Sequence, residues 1–399
     1  MGGQIVLGLG GTVDYELAWD AQVMSRLAGQ HRLTSADLSL TAPIVDERSL
    51  LSVILAFLEA GEGGERFVSS SALVEEFAAH FEYETTLGGT GVRAGLVLDR
   101  LGIGSVQHLV SIDETVRRLL PASMSVVSSA TEETLDPHLI VQFPAGARVT
   151  LLDRDLVSPA ANRLILANDP PNRLMALAPG LRTALAEAQI LLVSGFNTMQ
   201  DPALLRSRVS ELRAAMEELP PDALVFYEDA GFYERSFSDS VREGLLDRID
   251  VYSLNEDELQ EYLGRRVELR APEQVVAALR EAQRLIPATT LVVHTRFWAI
   301  ALGRDAGRFA GALRGAVEAA ATRYRLGDRY DAADLAATSA LPRHAGGAGV
   351  VEAVASALPD SVGVAAFDLD TPTPTTIGLG DTFVGGFLAA LARERSAIG

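Results

Sequence analysis

The sequence predicts an α/β fold: a mostly parallel sheet with helices on both faces, accompanied by a second, smaller sheet. Three observations predict it. Short apolar runs of strand length alternate with stretches of helical spacing along nearly the whole chain. Each apolar run is followed by a helix or a glycine turn, and repeated strand–helix units make parallel strands with crossover helices. Two stretches, 14–40 and 139–152, break this rhythm and supply the second sheet.

Taken in order, residues 5–9 read as a short buried strand, and 50–59 has helical spacing. Gly88 to Gly91 breaks the chain before 92–101, a helix rich in small residues. Residues 139–143 and 148–152 alternate as strands around Pro144–Ala147, which reads as a hairpin. Residues 190–193 form a buried strand. The 204–219 stretch puts Leu205, Val209, Leu212 and Met216 on one helical face. Residues 224–227, 251–254 and 290–293 are further short strands, and 306–325 is a helix of small packing residues.

Composition narrows the function. The 399 residues are 48% hydrophobic, enough to bury a large core unaided. With no cysteine, disulfides and thiolate metal sites are excluded, which suits a reducing cytoplasm. The six histidines have no metal-ligand spacing. A net charge of -19 repels nucleic acid and anionic membranes. No apolar run is long enough to span a bilayer, and the first ten residues lack signal-peptide features. The chain contains no lysine, so a Schiff-base lysine and a Walker-type lysine are both excluded, and any phosphate must meet arginine.

Three motifs carry chemistry. Residues 376–383, TIGLGDTF, are a Gly-x-Gly-Asp turn opening an apolar helix. Backbone N–H groups at such a helix start can hold an oxyanion, and Asp381 can take a proton from an attacking hydroxyl. An N-cap aspartate after a glycine turn fits the same residues equally well. Residues 253–259, SLNEDEL, follow a strand, with Asn255 and Glu258 three apart on one helical face. They can organise waters around Mg²⁺ or form a capping box, the commoner cause. Residues 86–91, TLGGTG, let a polyol approach the backbone, or make a plain turn.

The order of these and other pieces resembles the ADP-dependent glucokinase/phosphofructokinase family of the ribokinase superfamily. TIGLGD is similar to its T-V-G-L-G-D, and SLNEDEL to its G-x-N-E-x-E-L. GEGGERF at 61–67, HLIVQF at 138–143 and ANRLI at 161–165 have counterparts there, as does Asp169 followed by Asn172. So do LVSG at 192–195, VHT at 293–295, and the start of the chain up to Asp14. The resemblance implies a ribokinase-like three-layer αβα large domain and a smaller, mainly β lid. We place the large domain at about 1–12, 45–130 and 170–399, and the lid at about 13–44 and 131–169.

It further implies that Asp381 is the catalytic base and that Gly378, Leu379 and Gly380 form an anion hole. Asp14, Glu65, Gly89, Thr90 and His138 would line the sugar pocket. Asn255, His294 and Thr295 would lie on the nucleotide side. Glu228 and Glu258 would hold Mg²⁺ and its waters. ADP would be the phosphoryl donor and AMP the product, in a cytoplasmic monomer or small homo-oligomer binding no nucleic acid and no membrane. Asp14 and Glu65 read alternatively as ordinary exposed acids, and His138 as a core histidine. Arg148 or Arg163 could hold phosphate or face solvent. The chain departs from the family at Phe226, where the histidine of H-x-E is expected, at Gln142 for a carboxylate, and at Thr90 for Gln or Asn. Glu65 favours glucose as acceptor, because a carboxylate accepts bonds from hydroxyls and repels a sugar phosphate. Fructose 6-phosphate is the runner-up, handicapped by the lack of lysine. An ATP-dependent carbohydrate or nucleoside kinase and a non-catalytic sugar- or nucleotide-binding relative are the remaining alternatives.

Overall fold

The computed structural model describes residues 4–232, 234–371, 375 and 377–398. Thr376, at the head of the glycine-turn motif, lies outside them. Nine strands form the large sheet in the order Ser361–Ala365, Trp298–Gly303, Thr290–His294, Val251–Asn255, Leu224–Glu228, Ala188–Val193, Gln4–Leu7, Ser105–Leu109 and Met124–Ser128. Neighbours are parallel except at the first two pairs, where Trp298–Gly303 runs against both of its partners. Alternate residues of each strand feed two separate cores. Val6, Leu191, Val225 and Tyr252 face helices that include Pro202–Ala215, Arg235–Leu245 and Pro272–Leu285. Ile5, Leu7, Leu192 and Phe226 face Thr90–Arg100, Ala310–Leu326 and Leu379–Ile398. Strands buried on both faces read as the continuous apolar runs seen in the sequence.

The small sheet has five strands in the order Gly64–Phe67, Asn162–Ala167, His138–Phe143, Thr12–Leu17 and Tyr83–Gly88. One face is apolar: Val13, Tyr15, Leu17, Leu139, Val141, Leu164 and Leu166 pack on helices Ala21–Gln30, Glu47–Ala60 and Ser71–Ala78. The other face is polar and borders the cleft between the sheets.

The structure differs from two sequence expectations. Residues 138–143 and 148–150 do not form a hairpin around Pro144. His138–Phe143 pairs with Thr12–Leu17 and Asn162–Ala167, while Arg148–Thr150 pairs with Asp155–Val157. Period-two alternation marks a strand but does not name its partner. The segment 45–130, expected in the large domain, gives strands Gly64–Phe67 and Tyr83–Gly88 to the small sheet, and helix Glu47–Ala60 packs beneath it. Its helical spacing could not show which sheet it covers. Among the described residues, no helix is long and apolar enough to cross a membrane.

Candidate active site

The polar face of the small sheet comes from strict alternation. Glu84, Glu16, Ile140, Ile165 and Glu65 pair across five strands in one row. The next row holds Thr86, Asp14 and His138. Thr12 Oγ1 donates to Asp14 Oδ1 at 2.7 Å, and Thr86 Oγ1 to Glu16 Oε1 at 2.7 Å. Glu65 lies deep between the cleft walls yet stays open to solvent. Water therefore screens much of the upward push that burial, Asp14 and Asp381 exert on its carboxyl, against His138 and Arg163. His138 is buried and lies 3.0 Å from Asp169 Oδ2 through Nε2. Burial works against a charged ring there, but Asp169, helped by Asp14 and Glu65, outweighs it and raises the histidine pKa. Asn172 Nδ2 donates to Asp169 Oδ2 at 2.7 Å and to Gly11 O at 2.9 Å, tying the pair to the first crossover between the sheets.

The second crossover lies alongside. Gly89 precedes helix Thr90–Arg100 at φ +87°, and a Cβ there would stand 3.0 Å from Gly11 Cα. Only glycine fits both the backbone angle and the approach. Thr90 is the first residue of that helix.

On the large sheet, Glu228, Asn255 and His294 end three adjacent parallel strands. Ligands gather at this carboxyl edge in open α/β sheets. His294 Nε2 lies 2.9 Å from Glu228 Oε1, and its ring stacks on Phe383 at 4.4 Å between centroids. The other oxygen of Glu228, Oε2, is buried without a hydrogen-bond partner among the described residues. Asn255 and Glu258 make the capping box: Asn255 Oδ1 accepts from the Asp257 and Glu258 N–H groups, and Glu258 accepts from Asn255 N at 2.7 Å and Nδ2 at 2.8 Å. Burial pushes the Glu258 carboxyl well up, with Asp229 and Glu228 adding. Thr295 spends its hydroxyl on the turn to Trp298–Gly303, accepting from the Phe297 and Trp298 N–H groups.

Helix Leu379–Ile398 brings the two sides together. Its turn carries Gly378 at φ +65°, and a Cβ on Gly380 would lie 3.6 Å from His294 Cε1. Asp381 faces the other way, 3.9 Å from Arg93 Nε. Arg93 also donates from Nη2 to Asp14 Oδ2 at 2.9 Å and Glu16 Oε1 at 3.2 Å. Asp14, Glu65, His138 and Asp381 thus share one cleft, with His294, Glu228 and Gly380 beside it. Asn255, Glu258 and Thr295 sit at the same edge, with side chains engaged in caps and turns. Sequence reasoning missed Arg93, which lies two residues after the 86–91 glycine motif, in the 92–101 stretch read as a helix of small residues. An arginine on the mainly apolar first turns of that helix was the available signal.

A family model described as the ADP-specific phosphofructokinase/glucokinase conserved region matches residues 3–327. The chain belongs to the ADP-specific phosphofructokinase/glucokinase family. No curated protein matches it significantly. Among solved structures it is similar to a phosphofructokinase from Pyrococcus horikoshii OT3 with AMP, at 17% identity, covering 99% of each chain, TM-score 0.77. It is also similar to the last common ancestor of ADP-dependent phosphofructokinases from Methanosarcinales, at 15% identity over 98% of this chain and 94% of that one, TM-score 0.76. An ADP-dependent kinase in complex with fructose-6-phosphate and ADPbetaS shares 13% identity over 98% and 94%, TM-score 0.74. At such identities these likenesses establish the fold. Family membership makes the protein an ADP-dependent sugar kinase, a phosphotransferase.

Proposed function

We propose that this kinase phosphorylates a neutral hexose of the glucose class, releasing AMP from ADP. The carrying observation is the acid-rich polar face of the small sheet: Asp14, Glu16, Glu65 and Glu84 project from it, against Arg163 and His138. Carboxylates accept hydrogen bonds from hydroxyls and repel a phosphate. Asp381 is the base that takes the acceptor proton, and the 378–380 N–H groups receive the transferring group. Gly89 and Thr90 bound the sugar beside Asp14 and His138. His294 and the edge at Asn255 and Thr295 bound the nucleotide.

Glu228 Oε2, buried and without a hydrogen-bond partner among the described residues, fits a divalent cation at the donor side, with Glu258 close behind it. Mg²⁺ bound there would offset the charge of the donor phosphates. Fructose 6-phosphate is the second reading, because Arg163 is exposed two residues from Ile165, the partner of Glu65, and could meet a sugar phosphate. The test is an activity matrix of ADP and ATP against glucose, fructose 6-phosphate and nucleosides, with Mg²⁺. Highest kcat/KM for ADP with glucose is expected. Preference for fructose 6-phosphate would replace the acceptor reading, and preference for ATP would overturn the donor reading.

A further inference from the structure

Arg93 stands where the small sheet meets the glycine turn, and it is only 4% exposed. Its Nη2 holds Asp14 and Glu16. Its Nε is 3.9 Å from Asp381 Oδ2, beyond hydrogen-bond reach. Among the described residues no hydrogen bond is made by Nε or Nη1. A buried guanidinium therefore spends one nitrogen of three. The unspent edge lies against the turn: a Cβ on Gly378 would stand 2.9 Å from Arg93 Cδ and 3.0 Å from Nη1. Glycine at 378 leaves the room the guanidinium occupies. Arg323 is the other buried arginine among the described residues, and it is committed, with Nε on Ile377 O at 2.9 Å and Nη1 on Asp328.

We propose that Arg93 is a catalytic residue whose Nε and Nη1 edge binds the phosphoryl group in flight, while Nη2 keeps Asp14 and Glu16 paired beneath the acceptor. The inference rests on the kinase reading above. In the step it serves, the acceptor hydroxyl oxygen attacks the β-phosphorus of ADP and gives its proton to Asp381. The bond from the β-phosphorus to the bridging oxygen breaks, and its electron pair leaves on the phosphate of AMP. Charge spreads over the three equatorial oxygens, and a planar fork can donate to two of them at once. In a chain without lysine, with Asp14, Glu16 and Asp381 around the same point, a buried arginine is the side chain that can supply this charge.

The test compares Arg93→Met and Arg93→Lys with wild type. Calorimetry measures Kd for ADP and for AMP, kinetics uses the acceptor that wild type prefers, and thermal melts follow folding. Loss of the contact should weaken ADP binding at least about tenfold in Arg93→Met while AMP binding stays within about threefold, since only ADP carries the group in question. The kcat should fall by at least about 10²-fold, with Arg93→Lys intermediate because it restores charge without the fork. An unchanged ratio of ADP to AMP affinity with unchanged kcat, and only acceptor KM or melting temperature altered, overturns the proposal and leaves Arg93 as a neutraliser of lid acids. If Arg93→Met does not fold, the same ratio in Arg93→Lys, with at least a threefold fall expected, decides. If wild type binds ADP but turns over no acceptor, the kinase reading fails while the affinity ratio still decides Arg93. If it binds neither nucleotide, both fall.

Discussion

The cleft has two acidic walls that are built differently. On the small sheet, Asp14, Glu16, Glu65 and Glu84 stand at alternate positions within strands, and they are met by Arg93, Arg163 and the His138–Asp169 pair. At the edge of the large sheet, Glu228, Asp229 and Glu258 are buried at strand ends and helix starts; Glu228 pairs with His294 at 2.9 Å, while the other two are met by hydroxyls and amides. Asp229 accepts from Tyr227, Tyr252 and Tyr262, and Glu258 from the backbone and side chain of Asn255. Burial still outweighs the three hydroxyls and raises the Asp229 carboxyl. The first wall already carries its counter-charge and offers spare acceptors to hydroxyls. The second has no arginine paired with its carboxylates among the described residues, and one oxygen of Glu228 has no hydrogen-bond partner there. The proposed neutral acceptor on one side, and the proposed cation with an anionic donor on the other, both rest on that contrast.

The contrast is broken most directly at Asp381, which belongs to neither wall and, in the proposed reaction, takes the acceptor proton between them. Asp381→Asn should lower kcat by roughly 10²–10⁴-fold, the contribution of a positioned general base. ADP binding and the melting temperature should stay near wild type. A folded variant with near-normal kcat removes Asp381 from the chemistry and leaves it as an acid in the first turn of helix Leu379–Ile398.

The acceptor wall is sharpened at Glu65, whose carboxylate makes no ion pair among the described residues and remains open to solvent. A charged hydrogen bond to a sugar hydroxyl contributes about 1.5–3 kcal/mol. Glu65→Ala should therefore lower kcat/KM for glucose by roughly one to two orders of magnitude. It should also shift the ratio toward fructose 6-phosphate by removing a repelling charge. Measurement of kcat/KM for both sugars checks this, and an unchanged ratio withdraws Glu65 from the pocket.

The large sheet is the part most legible in the amino-acid sequence. The carboxyl-edge strands ending at Glu228, Asn255 and His294 announce themselves as apolar runs, and the glycine turn marks Asp381. The small sheet is only half legible. Its strands at 64–67 and 83–88 are short and polar on the cleft face, so GERF and YETTLG carry too few apolar residues to stand out. Their membership is decided by long-range pairing with Asn162–Ala167 and Thr12–Leu17, which no local pattern encodes. Arg93 stands out only as an arginine in an apolar helix, and its partners are illegible for a related reason. The role proposed for it rests on partners at 14, 16 and 381, which meet it beside the crossovers at Gly11 and Gly89.

The donor wall gives the finest comparison, because Glu228 and Glu258 lie close together and differ in how they are spent. Glu228 has a free buried oxygen, whereas both oxygens of Glu258 accept bonds from Asn255 and hold the start of helix Glu256–Leu263. Glu228→Gln should raise the Mg²⁺ concentration for half-maximal activity by about tenfold, the equivalent of about 1.4 kcal/mol. Its effect on stability should be small, since the amide keeps an acceptor for His294. Glu258→Gln should do the reverse. An amide keeps one acceptor of the capping box and sets its NH₂ group against an Asn255 donor, so unfolding stability should fall by about 0.5–2 kcal/mol. The Mg²⁺ requirement should rise less than in Glu228→Gln, because both Glu258 oxygens are engaged with Asn255 and burial disfavours their charged form. Denaturant unfolding and Mg²⁺ titration of activity on both variants separate the two effects. Equal shifts in Mg²⁺ requirement would mean that both carboxylates hold the ion directly, and that the capping box opens when it does.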